Sequence, residues 1–111
     1  MQKLSLRALA REHLEQAARA SAGRSATTVY GGHERILRQT LLALTAGCCL
    51  DEHESPGDAS IYVLRGRVRL LAGSDSWEGS EGDLLLIPPV RHSLEALADS
   101  AILLTVAKSP A

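Results

Sequence analysis

His53 stands in the stretch DEHESPGDASIYVLRGRVRL, residues 51 to 70, between Glu52 and Glu54 and shortly before Asp58. An imidazole among carboxylates is a donor set for a divalent cation if the groups converge, and a polar strand start if they do not. The other sulfur and nitrogen donors do not form a set of their own. Cys48 and Cys49 are adjacent in a strand-like segment, where neighbouring side chains point to opposite faces, so they suit neither a disulfide nor a shared metal. They read as small apolar fillers in a reducing compartment. His13, beside Leu14 in a helical pattern, and His33, after Gly31-Gly32, lack ligand spacing to another His or Cys and read as surface or helix-edge residues. The chain has no G-x-S-x-G nucleophile elbow and no G-x4-G-K-[ST] phosphate loop, so nucleophilic catalysis has little support and nucleotide hydrolysis is not indicated.

The elements that must position these residues are one helix and a series of short strands. SLRALAREHLEQAARA, residues 5 to 20, has Leu6, Leu9, Ala10, Leu14, Ala17 and Ala18 at helical spacing, Ser5 as N-cap and Gly23 beyond its end. ATTVY (26 to 30) is β-branched and aromatic, Gly31-Gly32 signals a turn, and ERILRQTLLALTAG (34 to 47) reads as a long strand. Turn signals then recur at Ser55-Pro56-Gly57, Gly66, Ala72 to Asp75, Gly79 to Gly82, Pro88-Pro89 and Asp99-Ser100. Between them lie SIYVLRGRVRLL, LLLI, HSLEAL and AILLTVA, the spacing of an all-β sandwich or barrel. Arg67 and Arg69 alternate with Val68 and Leu70, so that strand has one wet face. Residues 108 to 111 read as a loose tail.

The totals narrow the function classes. At 111 residues the chain fits one domain with one core, and no apolar run approaches the roughly 20 residues of a membrane span. Charges break up the first 20 residues, so a cytoplasmic location is expected rather than export. Residues 1 to 38 hold seven Lys or Arg against three Glu (+4), and 39 to 111 hold five against ten Asp or Glu (−5). With one Trp, two Tyr and no Phe, that modest basic excess offers neither a phosphate-binding stripe nor stacking platforms, and one helix cannot make a helix-turn-helix, so nucleic-acid binding is not expected.

Residues 47 to 107 resemble the cupin family, the small double-stranded β-barrel of the RmlC-like group. The family's first motif is G-x5-H-x-H-x3-4-E-x6-G; here Gly47 is followed after five residues by His53, and YVLRG closes it at Gly66. The second is G-x5-P-x-G-x2-H; Gly82, DLLLI and Pro88-Pro89-Val90-Arg91-His92 follow it with one residue fewer and no glycine before the histidine. SDSWEG forms the inter-motif loop. The resemblance implies an all-β, cupin-type double-stranded β-barrel (jelly roll) over about 26–107, with one N-terminal α-helix over about 5–20, in a single domain spanning 1–111.

In metal-binding members the two motifs supply three His and one Glu, and those four positions here read His53, Ser55, Ala59 and His92. Two of the four donors remain, so no cofactor is expected. The alternative is a divalent metal (Zn, Mn, Ni or Fe) held by His53, His92 and Asp58. Asp58 lies one place before the expected carboxylate, so strand alternation turns it away from the lumen unless the Pro56-Gly57 turn or a bulge re-aims it. The implied ligand pocket comprises His53, His92, Arg38, Ser55 and Trp77, with Gln39, Tyr62 and Arg91 as further wall candidates. Arg38, within an apolar strand, either snorkels to solvent or needs a partner such as Glu95 or an anionic ligand. Tyr62 and Leu64 lie opposite Ala59 and Val63, an apolar outer face suited to a homodimer contact. The expected function is small-molecule binding in the barrel without a complete metal site; the alternative is a metal-dependent dioxygenase or isomerase using His53 and His92.

Overall fold

The computed structural model describes residues 2–53 and 57–108. Helix α1 (Leu6–Arg19) is capped by Ser5, whose hydroxyl accepts the Ala8 amide at 3.2 Å and so satisfies one of the free first-turn donors. Ala10, His13 and Ala17 are buried, while Leu6, Leu9 and Leu14 are partly so. Ala18, expected on this face, is exposed. His13 corrects its surface reading: it is 9% exposed, because the Ser25 hydroxyl lies 2.7 Å from Nδ1 and satisfies the ring beneath the helix. Ser25 in turn donates to Gln16 Oε1 at 2.9 Å.

Among the described residues nine strands follow: β1 (Arg24–Tyr30), β2 (Leu37–Leu44), β3 (Cys49–His53), β4 (Gly57–Arg65), β5 (Arg67–Ala72), β6 (Asp75–Ser80), β7 (Leu84–Ile87), β8 (His92–Ala96) and β9 (Ser100–Lys108). They form two antiparallel sheets, β1-β2-β9-β4-β7 and β3-β8-β5-β6. From β2 onward the chain passes repeatedly from one sheet to the other, which is jelly-roll connectivity. The turn signalled at Gly66 divides SIYVLRGRVRLL into two strands. Two details differ from the sequence reading: Asp75 to Gly79 of SDSWEG are not a loop but lie in β6, paired with β5 from Arg67↔Ser80 to Ala72↔Asp75. Only Gly79 of β6 is buried, so this edge strand has no apolar face to announce it. Lys108, read as tail, closes β9 opposite Gly57.

Alternation assigns each face. Leu42, Leu44, Ile61, Val63 and Ile102 of the five-stranded sheet meet Val68, Leu70, Leu94 and Ala96 of the other. On the reverse of the same sheet, Leu41 and Ala101 pack under Ala10 of α1. Strands β2 and β9 are therefore buried on both sides, which is why they read as unbroken apolar runs.

At the far end of the sandwich the chain turns at Gly66, with φ +86°. A Cβ there would overlap the Asp99 carbonyl oxygen and Ser100. Ser100 is 1% exposed; its hydroxyl accepts the Arg67 amide at 3.0 Å and lies 2.7 Å from the Ala98 carbonyl, so the corner has nowhere to move. Gly66→Ala is expected to cost at least roughly 1–3 kcal/mol from backbone strain alone, read as a lower urea midpoint at unchanged slope. An unchanged midpoint would contradict this packing.

Candidate functional site at the mouth of the sandwich

The chain doubles back between β2 and β3 and between β8 and β9, where the Gly47 amide donates to the Ala96 carbonyl at 2.8 Å. The starts of β2, β4 and β8 and the ends of β3, β7 and β9 consequently share the opposite end, the mouth. Across the five-stranded sheet the register there aligns Arg38↔Val106↔Ala59↔Ile87 in one row. That row belongs to the inner face. Gln39 lies on the outer face, where it donates to Thr105 Oγ1 of its cross-strand partner at 3.2 Å, and Leu42 and Leu44, in phase with Arg38, are inside. Arg38 is half-buried and has no hydrogen-bond or ion-pair partner among the described residues. Since no buried side-chain nitrogen among the described residues lacks a partner, its guanidinium reaches solvent at the mouth. Glu95, the acid suggested for it by sequence, is on the outer face of the second sheet, 3.8 Å from Arg69, which also meets Glu78 at 3.3 Å.

The second sheet contributes His92. In β8 it shares the inner face with Leu94 and Ala96 and is 3% exposed. Its Nδ1 lies 2.8 Å from the Val90 carbonyl oxygen. A carbonyl only accepts, so Nδ1 carries the proton and, in the neutral ring, Nε2 is the acceptor. The backbones of His53 and His92 are cross-strand partners, with an irregularity between Leu50 and His53. The side chain of His53, and Ser55 entirely, lie outside the described residues.

Asp58 is not brought to His92. The β4 ladder is regular from Gly57↔Lys108 to Val63↔Ile102, with no bulge to re-aim it, so exposed Asp58 takes the outer face opposite Ala59. Among the described residues no three His, Cys, Asp or Glu side chains gather as a metal donor set. Trp77 pairs with Leu70 on the inner side of edge strand β6, two strands from β8, and is 45% exposed. Tyr62 faces outward, and Arg91 pairs with Glu52 at 3.0 Å on the exposed surface. Sequence reasoning missed Lys108. Its Nζ donates to the Gly32 carbonyl at 2.6 Å, fastening the 31–36 connection beside the mouth; a lysine before Ser-Pro gives no such signal. A separate cleft of about 560 Å³ lies on the outer face between α1 and the end of β4, lined by Arg7, Tyr62, Leu64, Arg65 and Glu81.

Two facing antiparallel sheets with this strand order define a jelly-roll fold. The fold is that of the cupins, and the chain is a small cupin-fold domain. It is similar to a conserved Streptococcus pyogenes protein of unknown function, at TM-score 0.73 and 26% identity over 83% of this chain and 80% of that one. A cupin superfamily protein from Desulfitobacterium hafniense aligns at TM-score 0.71 and 16% identity over 78% of each chain. Salicylate 1,2-dioxygenase from Pseudoaminobacter salicylatoxidans, in complex with gentisate, matches at TM-score 0.73 and 18% identity over 91% of this chain but 31% of its own. No protein-family model and no curated protein matches the sequence.

The His92 geometry is directly testable. Long-range ¹⁵N correlation spectra of the neutral ring are expected to show a protonated Nδ1; a protonated Nε2 would contradict the bond to the Val90 carbonyl.

Proposed function

We propose that this single-domain chain binds a small molecule at the mouth between its sheets, without a complete metal site, and acts as a homodimer in the cytoplasm. The observation that carries the binding reading is the pairing of a buried, oriented imidazole, His92, with an inner row whose remaining members at the mouth are Arg38, Val106, Ala59 and Ile87. Small-molecule sites are mostly apolar with a few oriented polar groups, which is this composition. Ala59 stands where metal-binding cupins carry a carboxylate, and Asp58 is on the wrong face to replace it. The residues described do not fit a metal donor set, so no chemical step is assigned to one. Two free cysteines, one exposed, fit a reducing compartment.

The test is metal content and thermal shift of protein purified without chelator. Substoichiometric metal, and no rise in Tm when zinc, manganese, nickel or iron is added, are expected. Stoichiometric retention with a raised Tm would replace this reading by a metal-dependent enzyme, because a ligand that binds only the folded state must stabilise it.

The homodimer is supported by the outer face of β4 and edge strand β7. Tyr62↔Leu84 and Ser60↔Leu86 pair there, with Leu84 57% and Leu86 74% exposed beyond the cover of α1. Exposed apolar residues on an edge strand invite pairing with a second chain. Sedimentation at micromolar concentration is expected to give a dimer, and Leu86→Asp a monomer of unchanged Tm. A wild-type monomer would overturn the assignment.

A further inference from the structure

In a metal-binding cupin the inner row carries a carboxylate and the ligand is a cation. Here that position is Ala59, and two strands away in the same row stands Arg38, a permanent cation. No described acid answers it. Glu52 is bonded to Arg91, Glu95 to Arg69, and Asp58 is on the outer face. Lys108 adds a second positive charge at the same end, its amine held by the Gly32 carbonyl. The inner row at the mouth therefore carries a cation where a metal site carries a carboxylate.

We infer that the mouth recognises the oxyanion group of a small organic molecule, a carboxylate or a phosphate ester, through the Arg38 guanidinium. This rests on the reading of the mouth as a small-molecule site and names the ligand class it takes. The physics is specific. A guanidinium presents a planar fork of N–H donors that matches a carboxylate or phosphate edge with two parallel bonds. Here Arg38 is half-buried beside its row neighbour Val106, and its head is accessible and without a partner among the described residues. His92 is on the inner face of the other sheet, roughly 10 Å away as stacked sheets are spaced. The oxyanion end sits at Arg38, and the apolar body lies over the partly exposed Ala59 and Ile87.

The experiment titrates ¹⁵N,¹³C-labelled full-length protein with benzoate, malonate and phenyl phosphate, and with the neutral isosteres benzamide and malonamide. It follows the Arg38 Nε–H and the Val106 and Ile87 methyl resonances. At least one anion is expected to bind with those resonances shifting together and with at least tenfold advantage over its isostere. Benzoate against phenyl phosphate decides between carboxylate and phosphate. Arg38→Gln and Arg38→Met should lose at least tenfold of that affinity. Arg67→Gln, which removes the same charge from the outer face of the second sheet, should keep it. Without anion, Arg38→Met is expected to melt no lower than wild type, since the charge has no partner among the described residues to lose. Isosteres that bind as tightly as the anions, or anion affinity unchanged in both Arg38 variants, would overturn the oxyanion assignment while leaving the small-molecule reading in place. If no probe, charged or neutral, shifts the mouth methyls, both readings fail.

Discussion

One constraint organises this molecule: the five-stranded sheet must satisfy an apolar partner on each face. Its inner face builds the core with the second sheet, through Leu42, Leu44, Ile61, Val63 and Ile102. Its outer face seats α1 through Leu41 and Ala101, and the helix answers with Ala10, a side chain small enough for close approach. Because successive strand residues alternate faces, a one-residue slip in β2 would exchange the two sets. The register from Leu37↔Ala107 to Leu44↔Ser100 is therefore tightly specified, and it fixes Arg38 on the inside as firmly as it fixes Leu42.

The same register explains why the mouth differs from the rest of the interior. Moving along β2 from the far end, the inner positions are Leu44, Leu42, Thr40 and Arg38, and the interior passes from apolar to polar within two turns of the pleat. The far end is closed by the Gly66 turn and by the hydrogen bonds between Ser100 and the Arg67 backbone, with Ser100 buried. The mouth ends in a buried imidazole and an accessible guanidinium. A core whose remote half is filled by side chains can leave its other half to a ligand without losing the packing that holds the sheets together.

Much of this was legible in the sequence. The cap at Ser5, the apolar repeat of α1, the turn glycines and the two motif segments identify a helix followed by a jelly roll, because each depends on local chemistry that a sequence displays. The direction of Asp58 was also readable, since β4 is a regular ladder and alternation alone decides its face. Other features depend on contacts across the fold. Edge strand β6 has no apolar face, so DSWEGS resembles a loop until β5 supplies its hydrogen bonds. His13 looks like a surface residue until Ser25 is placed under the helix. Glu95 was a reasonable partner for Arg38 by charge, but β8 turns it outward to Arg69. Arg38 itself was recognisable as an anomaly in an apolar strand; that its head is unpaired and at the mouth emerges only from the register.

On the proposed reading, alanine at one family ligand position and a guanidinium in the same row change the sign of the group the site takes. The most direct test is a crystal structure of protein purified without chelator and crystallised with benzoate, with anomalous data collected for transition metals. The expected result is an oxyanion within about 3 Å of the Arg38 guanidinium nitrogens and no anomalous peak beside His92. An anomalous peak about 2.0–2.1 Å from His92 Nε2, with Arg38 turned out to solvent, would contradict it.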